Sequence, residues 1–155
     1  MKPSLIYKRE IQSYLTELRT LTGRDVQAED LSAVALVEEV RKSSESLNRP
    51  RKCTFEIPFA DRIAPRFTAF VQTLAQSNHC SVYVWTPRTN ACGLFEIDSI
   101  LAVNFAFPFN LNREGIFNLV TTNLRNEMML DFSREKGKEL LEIELRGESW
   151  PSAAY

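Results

Sequence analysis

Apolar residues recur every three to four positions from Leu5 onward. Leu5, Ile11, Tyr14, Leu15, Leu18 and Leu21 make one stripe, and Lys8, Arg9, Gln12, Glu17 and Arg19 fall on the side left for water. That period predicts an amphipathic helix, opened by Ser4 as N-cap behind Pro3 and closed by Gly23 in a left-handed conformation. A second helix is expected from about Asp30 to Ser44, capped by Asp30 or a nearby acid. Leu31, Val34, Val37 and Val40 would face inward, with Glu38 and Arg41 outside. The polar stretch Ser43 to Lys52 (SSESLNRPRK) reads as a loop.

Period two then takes over. Cys53, Phe55 and Ile57 alternate with Thr54 and Glu56, a short strand closed by Pro58. A third helix follows, with Pro65 in its first turn, Phe67, Phe70, Val71 and Leu74 on one face, and Gln76-Ser77-Asn78 at its end. Ser81 to Trp85 and Gly93 to Ile97 suggest a hairpin with Pro87 to Asn90 as its turn. From Ile100 to Phe109, Leu101, Val103, Phe105, Phe107 and Phe109 alternate with small or polar residues, the pattern of a further strand covered on its bulky side. Ile116 to Thr121, Met128 to Phe132 and Glu139 to Arg146, joined by short polar connections, read as an antiparallel meander. The expected fold is α+β in a single domain spanning residues 1–155. Two N-terminal helices, a third after the first strand and a mainly antiparallel sheet of about five to six strands compose it, with the helices on one face.

At 155 residues, 44% hydrophobic and 25% charged, the chain has the composition of an ordinary globular domain. The opening MKPSLIYKREIQSYL lacks the apolar run of a secretory signal, and Ser99 to Phe109 is too short to span a bilayer. A soluble cytoplasmic protein is therefore expected, with its three cysteines (Cys53, Cys80, Cys92) as reduced, buried or half-buried thiols. The net charge of −1 conceals an asymmetry. Met1 to Asn90 carries 13 basic and 10 acidic residues, and Ala91 to Tyr155 carries 6 basic and 10 acidic. Such a distribution can steer a charged partner to one side of the molecule.

Each candidate for chemistry has a plainer structural reading. His79 and Cys80 are adjacent, and strand neighbours point to opposite faces, so a nucleophile–base pair is not expected there. Cys53, His79, Cys80 and Cys92 lack the close ligand pairs of a zinc site. The five glycines form no phosphate-binding loop. Arg41, Lys42, Arg49, Arg51 and Lys52 have no interleaved aromatics, so direct nucleic-acid binding is not expected. No catalytic residue, metal or cofactor is assigned. What remains is acidic. In the last strand Leu141, Ile143 and Leu145 face one way while Glu142 and Glu144 share the other, about 7 Å apart by strand geometry. We expect an acidic recognition face with Glu96, Asp98, Glu142 and Glu144 as partner-binding residues, joined by Asp131 and Glu148. Trp150 is expected in the core.

The run GIFNLVTTNLRNEMMLDFSREKGKELLEIELRGESW, Gly115 to Trp150, resembles immunity proteins of bacterial contact-dependent growth inhibition systems. The likeness lies in a strand, a short polar connection, the strand around Met129-Leu130-Asp131-Phe132, and the closing LEIELRGESW; it covers about the last quarter of the chain. It implies a cytosolic protein, not an enzyme, that binds and neutralises a cognate toxin domain. Toxins of such systems are frequently nucleases with basic clefts, which an acidic surface would complement. The resemblance carries over no interface residue. Two alternatives stand beside it: a secretion chaperone holding an effector segment, and a small enzyme using the Glu142/Glu144 face.

Overall fold

The computed structural model describes residues 2–151 and 155. Its strands are β1 (Arg51–Pro58), β2 (Val82–Trp85), β3 (Phe95–Ile97), β4 (Ile116–Thr121), β5 (Glu127–Glu135) and β6 (Lys138–Arg146). They form one six-stranded sheet in the order β1-β6-β5-β4-β2-β3, every neighbour antiparallel. Helices α1 (Leu5–Thr22), α2 (Val34–Glu45), α3 (Pro65–Ser77) and the single turn α4 (Thr89–Cys92) complete an α+β fold. No helix among the described residues is long and apolar enough to cross a membrane.

Side-chain alternation divides the sheet into two faces. Ile57, Leu141, Phe132 and Cys53, Leu145, Met128, Leu119 stand opposite one another across successive strands, and they point into the main core with Val82, Val84, Phe95 and Phe117. α1 and α3 cover this face. Ser4 caps α1 by accepting from the Tyr7 N–H at 3.0 Å, and Gly23 closes it at φ 66° with its N–H on the Arg19 carbonyl. Tyr14, fully buried, donates its hydroxyl to the Gly93 carbonyl at 2.7 Å and shares a 3.0 Å hydrogen bond with Thr89. The pattern is wrong on two α1 residues: Glu17, placed on the water side, is only 2% exposed, and Leu5, placed on the apolar stripe, is 83% exposed.

α2 packs on the other face. Its Val37 and Val40 meet Leu94, Tyr83 and Trp85, a cluster separate from the main core. The expectation of helices on one face is therefore corrected, and so is the helix start. Asp30 ends a 3₁₀ turn, Ala28–Asp30, where its carboxylate accepts from the Gln27 N–H at 2.8 Å. Leu31 is extended, and Ser32 exchanges hydrogen bonds with Leu94: its N–H donates to the Leu94 carbonyl and its hydroxyl accepts from the Leu94 N–H, both at 2.9 Å. That exchange carries the chain across to the second face before α2 begins behind Ala33. Gly93 permits the close approach: at φ 116°, a Cβ there would collide with the Ser32 carbonyl oxygen.

The segment from Ile100 to Phe109 is not a strand. A 3₁₀ turn (Ile100–Ala102) leads into chain that pairs with no strand, and the Asn104 N–H bonds to the Leu21 carbonyl at the end of α1. Alternation survives without a ladder because the chain lies over the core. Val103 and Phe107 are buried and Phe105 and Phe109 half-buried, with Phe107 packed edge-on to Phe117 (5.1 Å) and Phe59 (5.5 Å). Leu101, grouped with them by period two, is 56% exposed. Phe107→Ala should cost about 3–5 kcal/mol in chemical denaturation, as deletion of a buried aromatic does, whereas Leu101→Ala should stay within about 0.5 kcal/mol.

Candidate functional site

The second face of the sheet is only partly covered. α2 lies over Tyr83 and Trp85 on β2, and its C-terminal end is held by Arg49. That guanidinium donates to the Ser44 hydroxyl (2.7 Å) and the Leu124 carbonyl (2.9 Å) and pairs with Glu127 at 2.7 Å. Asn118 donates to the other Glu127 oxygen at 2.9 Å. Beyond this clamp, toward β5, β6 and β1, the face is open.

Three cross-strand rows line the open half. Glu56, Glu142, Asp131 and Ile116 form one, directly opposite each other on β1, β6, β5 and β4. Thr54, Glu144, Met129 and Asn118 form the next, and Arg51, Arg146 and Glu127 the third. With strands about 4.8 Å apart, the three acids of the first row fall within about 10 Å. Among the described residues none of the three forms an ion pair. Like charges directly opposite on neighbouring strands repel.

Glu142 and Glu144 differ despite sharing a face. Glu142 is exposed, whereas Glu144 is 7% exposed, with Arg51 Nε at 2.8 Å and Arg146 Nη2 at 3.0 Å from its Oε1. Glu144 is thus paired in charge with two arginines, although among the described residues its Oε1 accepts no well-directed hydrogen bond. Glu96 lies on the same face of edge strand β3, but four strand steps from β6, about 19 Å, with α2 between. Asp98 follows β3 and lines a cleft against α3 with Gln72, Gln76, His79 and Cys80. The four acids singled out from sequence therefore do not form one patch. Asp131 does join Glu142, and Glu56, hidden in the basic half of the chain, completes the row. Its signal was the Thr54/Glu56 alternation, which needed the β1–β6 register to be read. Glu148 is exposed and lines a cleft with Arg49 and Arg125 instead. Trp150 is in the core, its indole N–H on the Arg146 carbonyl at 2.9 Å.

His79 and Cys80 precede β2 and line one cleft, so strand alternation does not separate them. Cys80 Sγ stands 3.5 Å from the Thr122 hydroxyl. Among the described residues no three His, Cys, Asp or Glu side chains converge as metal ligands.

A second polar cluster lies between α1 and the chain before β4. Arg88 Nε sits 3.0 Å from Glu10, and its Nη1 3.5 Å from buried Glu17. Neither Glu17 oxygen has a hydrogen-bond partner among the described residues. Burial raises the Glu17 pKa, against smaller downward pulls from nearby Thr86, Asn112 and Arg88. Burial likewise pushes the Cys92 thiol up to about 11, helped by the Glu10 charge.

No protein-family model, curated protein or solved structure matches the chain.

Because the folded-state pKa of Glu17 lies above its unfolded value of about 4.3, the folded protein holds the extra proton in that window, and stability falls as pH rises through it. Glu17→Gln should therefore raise the thermal midpoint at pH 7 and leave it almost unchanged near pH 4. An equal gain at both pH values would mean that the charge is not what is costly.

Proposed function

We propose that the chain is an immunity protein that binds and neutralises a cognate toxin domain in the cytosol, meeting it with the open, acidic half of the second sheet face. The observation that carries this is the row Glu56–Glu142–Asp131: three carboxylates facing one another on rigid strands with no cation among them. A fold that left such repulsion in place gains nothing from it internally. A basic partner surface would relieve it, and the field of the row would speed encounter. Met129 and Ile116, half-buried among these acids, supply the apolar contact area that a recognition face also needs. The resemblance of Gly115 to Trp150 to immunity proteins concerns β4, β5 and β6, the strands that present most of this face.

Co-expression with the cognate toxin domain should restore growth, and cells that still die contradict the proposal. Kinetics locate the surface. Glu142→Lys combined with Asp131→Lys should slow association several-fold at low salt, the difference shrinking as salt screens it. The single change Glu142→Lys, which puts a cation between two acids, should at the same time raise the protein's own stability by about 0.2–1 kcal/mol. An unchanged association rate would place the interface elsewhere. A stable homodimer that captures an effector segment would instead identify a secretion chaperone, and a turnover activity lost in Glu142→Gln an enzyme.

A further inference from the structure

Arg88 divides the groove between α1 and the chain before β4 into two clefts. The outer, about 320 Å³, includes Ile6, Glu10, Asn112, Arg113 and Glu114 in its lining. The inner, about 430 Å³, is lined by Gln12, Ser13 and Thr16 of α1, by Pro108, Asn110 and Leu111, and by Glu17. Arg88 lines the inner cleft as well, so its two charged groups, Glu17 and Arg88, oppose each other 3.5 Å apart in an otherwise uncharged lining. Thr86 and Asn112 are the neighbouring side-chain donors, and neither meets Glu17 in good hydrogen-bonding geometry; the Thr86 hydroxyl accepts from the Arg88 N–H at 3.1 Å. Asn112 donates to the Ile116 carbonyl at 2.9 Å and accepts from the Gly115 N–H at 2.7 Å. Thr16 donates to the Gln12 carbonyl at 3.0 Å. Arg88 is held by its Nε on Glu10 and reaches Glu17 only at 3.5 Å, beyond a strong charge-assisted hydrogen bond. With Glu17 ionised, Glu10, Arg88 and Glu17 together carry one excess negative charge.

We infer that the inner cleft is a binding site for a guanidinium group, with the Glu17 carboxylate as its base. A guanidinium presents parallel N–H donors matched to two free carboxylate oxygens, and so supplies both missing partners at once. Arg88 needs only to move its terminal nitrogens off Glu17 while keeping Nε on Glu10. The side-chain oxygens of Gln12 and Asn110 on the rim are acceptors for the remaining donors. This site is remote in its residues from the acidic row and does not rest on the toxin proposal.

The test is calorimetric titration of the full chain with agmatine, a free guanidinium, and in parallel with the capped peptide Gly-Arg-Gly. Diaminobutane and glutarate serve as ammonium and anionic controls. Saturable one-to-one binding of agmatine or the peptide is expected, tighter than diaminobutane, with protons released because the incoming cation favours ionised Glu17. Agmatine alone binding would point to a free small molecule, and the peptide to an arginine side chain of a partner protein. Glu17→Gln, which keeps the shape, should weaken binding by at least about tenfold, the loss of a charged hydrogen-bonding partner. Glu142→Gln should leave it intact. Chemical-shift changes at Asn110 and Thr16 on titrating the unsubstituted protein provide a readout independent of any variant. No saturable binding of either guanidinium, equal affinity in Glu17→Gln, or a preference for glutarate, which would make Arg88 the anchor, overturns the inference.

Discussion

The molecule depends on the unequal cover of its two sheet faces. Six strands present two faces of equal area, but only one is sealed, by α1, α3 and the aromatic run from Val103 to Phe109. Burying that side drives folding. The other face receives one helix, α2, set over β2 through Val37 and Val40. Whatever α2 does not reach must be polar, because backbone and side chains there meet water. The partial cover thus creates the site, in the sense that it leaves β1, β6 and β5 with a face free of internal duties.

On that free half, charge is handled in two ways. Nearest α2, acids are neutralised. Glu127 is closed between Arg49 and Asn118, and Glu144 lies under Arg51 and Arg146. The Arg49–Glu127 pair is shielded on both sides, so loss of one partner is destabilising, whereas Glu144 is paired with arginines that reach into water. One row further out, Glu56, Glu142 and Asp131 have no such partners. On the proposed function this gradient, from paired acids at the helix to unpaired acids beyond it, sets where a basic partner gains most. The Glu17 cluster under α1 follows the same logic in a different setting, since a carboxylate without its full set of donors is a vacancy for one.

The local patterns told much of this in advance. Period 3.6 with Ser4 and Gly23 placed α1 to the residue, Pro65 opened α3, and alternation placed β1 and the β4–β5–β6 meander. Patterns failed where a residue's fate was decided by distant chain. Asp30 looks like a helix cap, but the Gln27 N–H takes its carboxylate and Ser32 pairs with Leu94, 62 residues away. The alternation from Leu101 to Phe109 reports an extended chain pressed on the core, which period two cannot tell from a ladder. Glu17 carries the wrong label because the groove around Arg88 exists only after folding. For the site, Glu142 and Asp131 were legible as outward acids. Their union with Glu56, and the separation of Glu96 and Asp98, required strand order.

Adjacent methionines offer the most direct test of the central claim that the partner docks on the open second face. Met128 is fully buried on the core side and Met129 half-buried on the open side, between Glu144 and Asn118. With carbon-13 labelled methionine methyls, addition of the cognate toxin domain should shift or broaden the Met129 resonance and leave Met128 nearly unmoved. A complex that forms while Met129 keeps its free-state resonance would contradict the account.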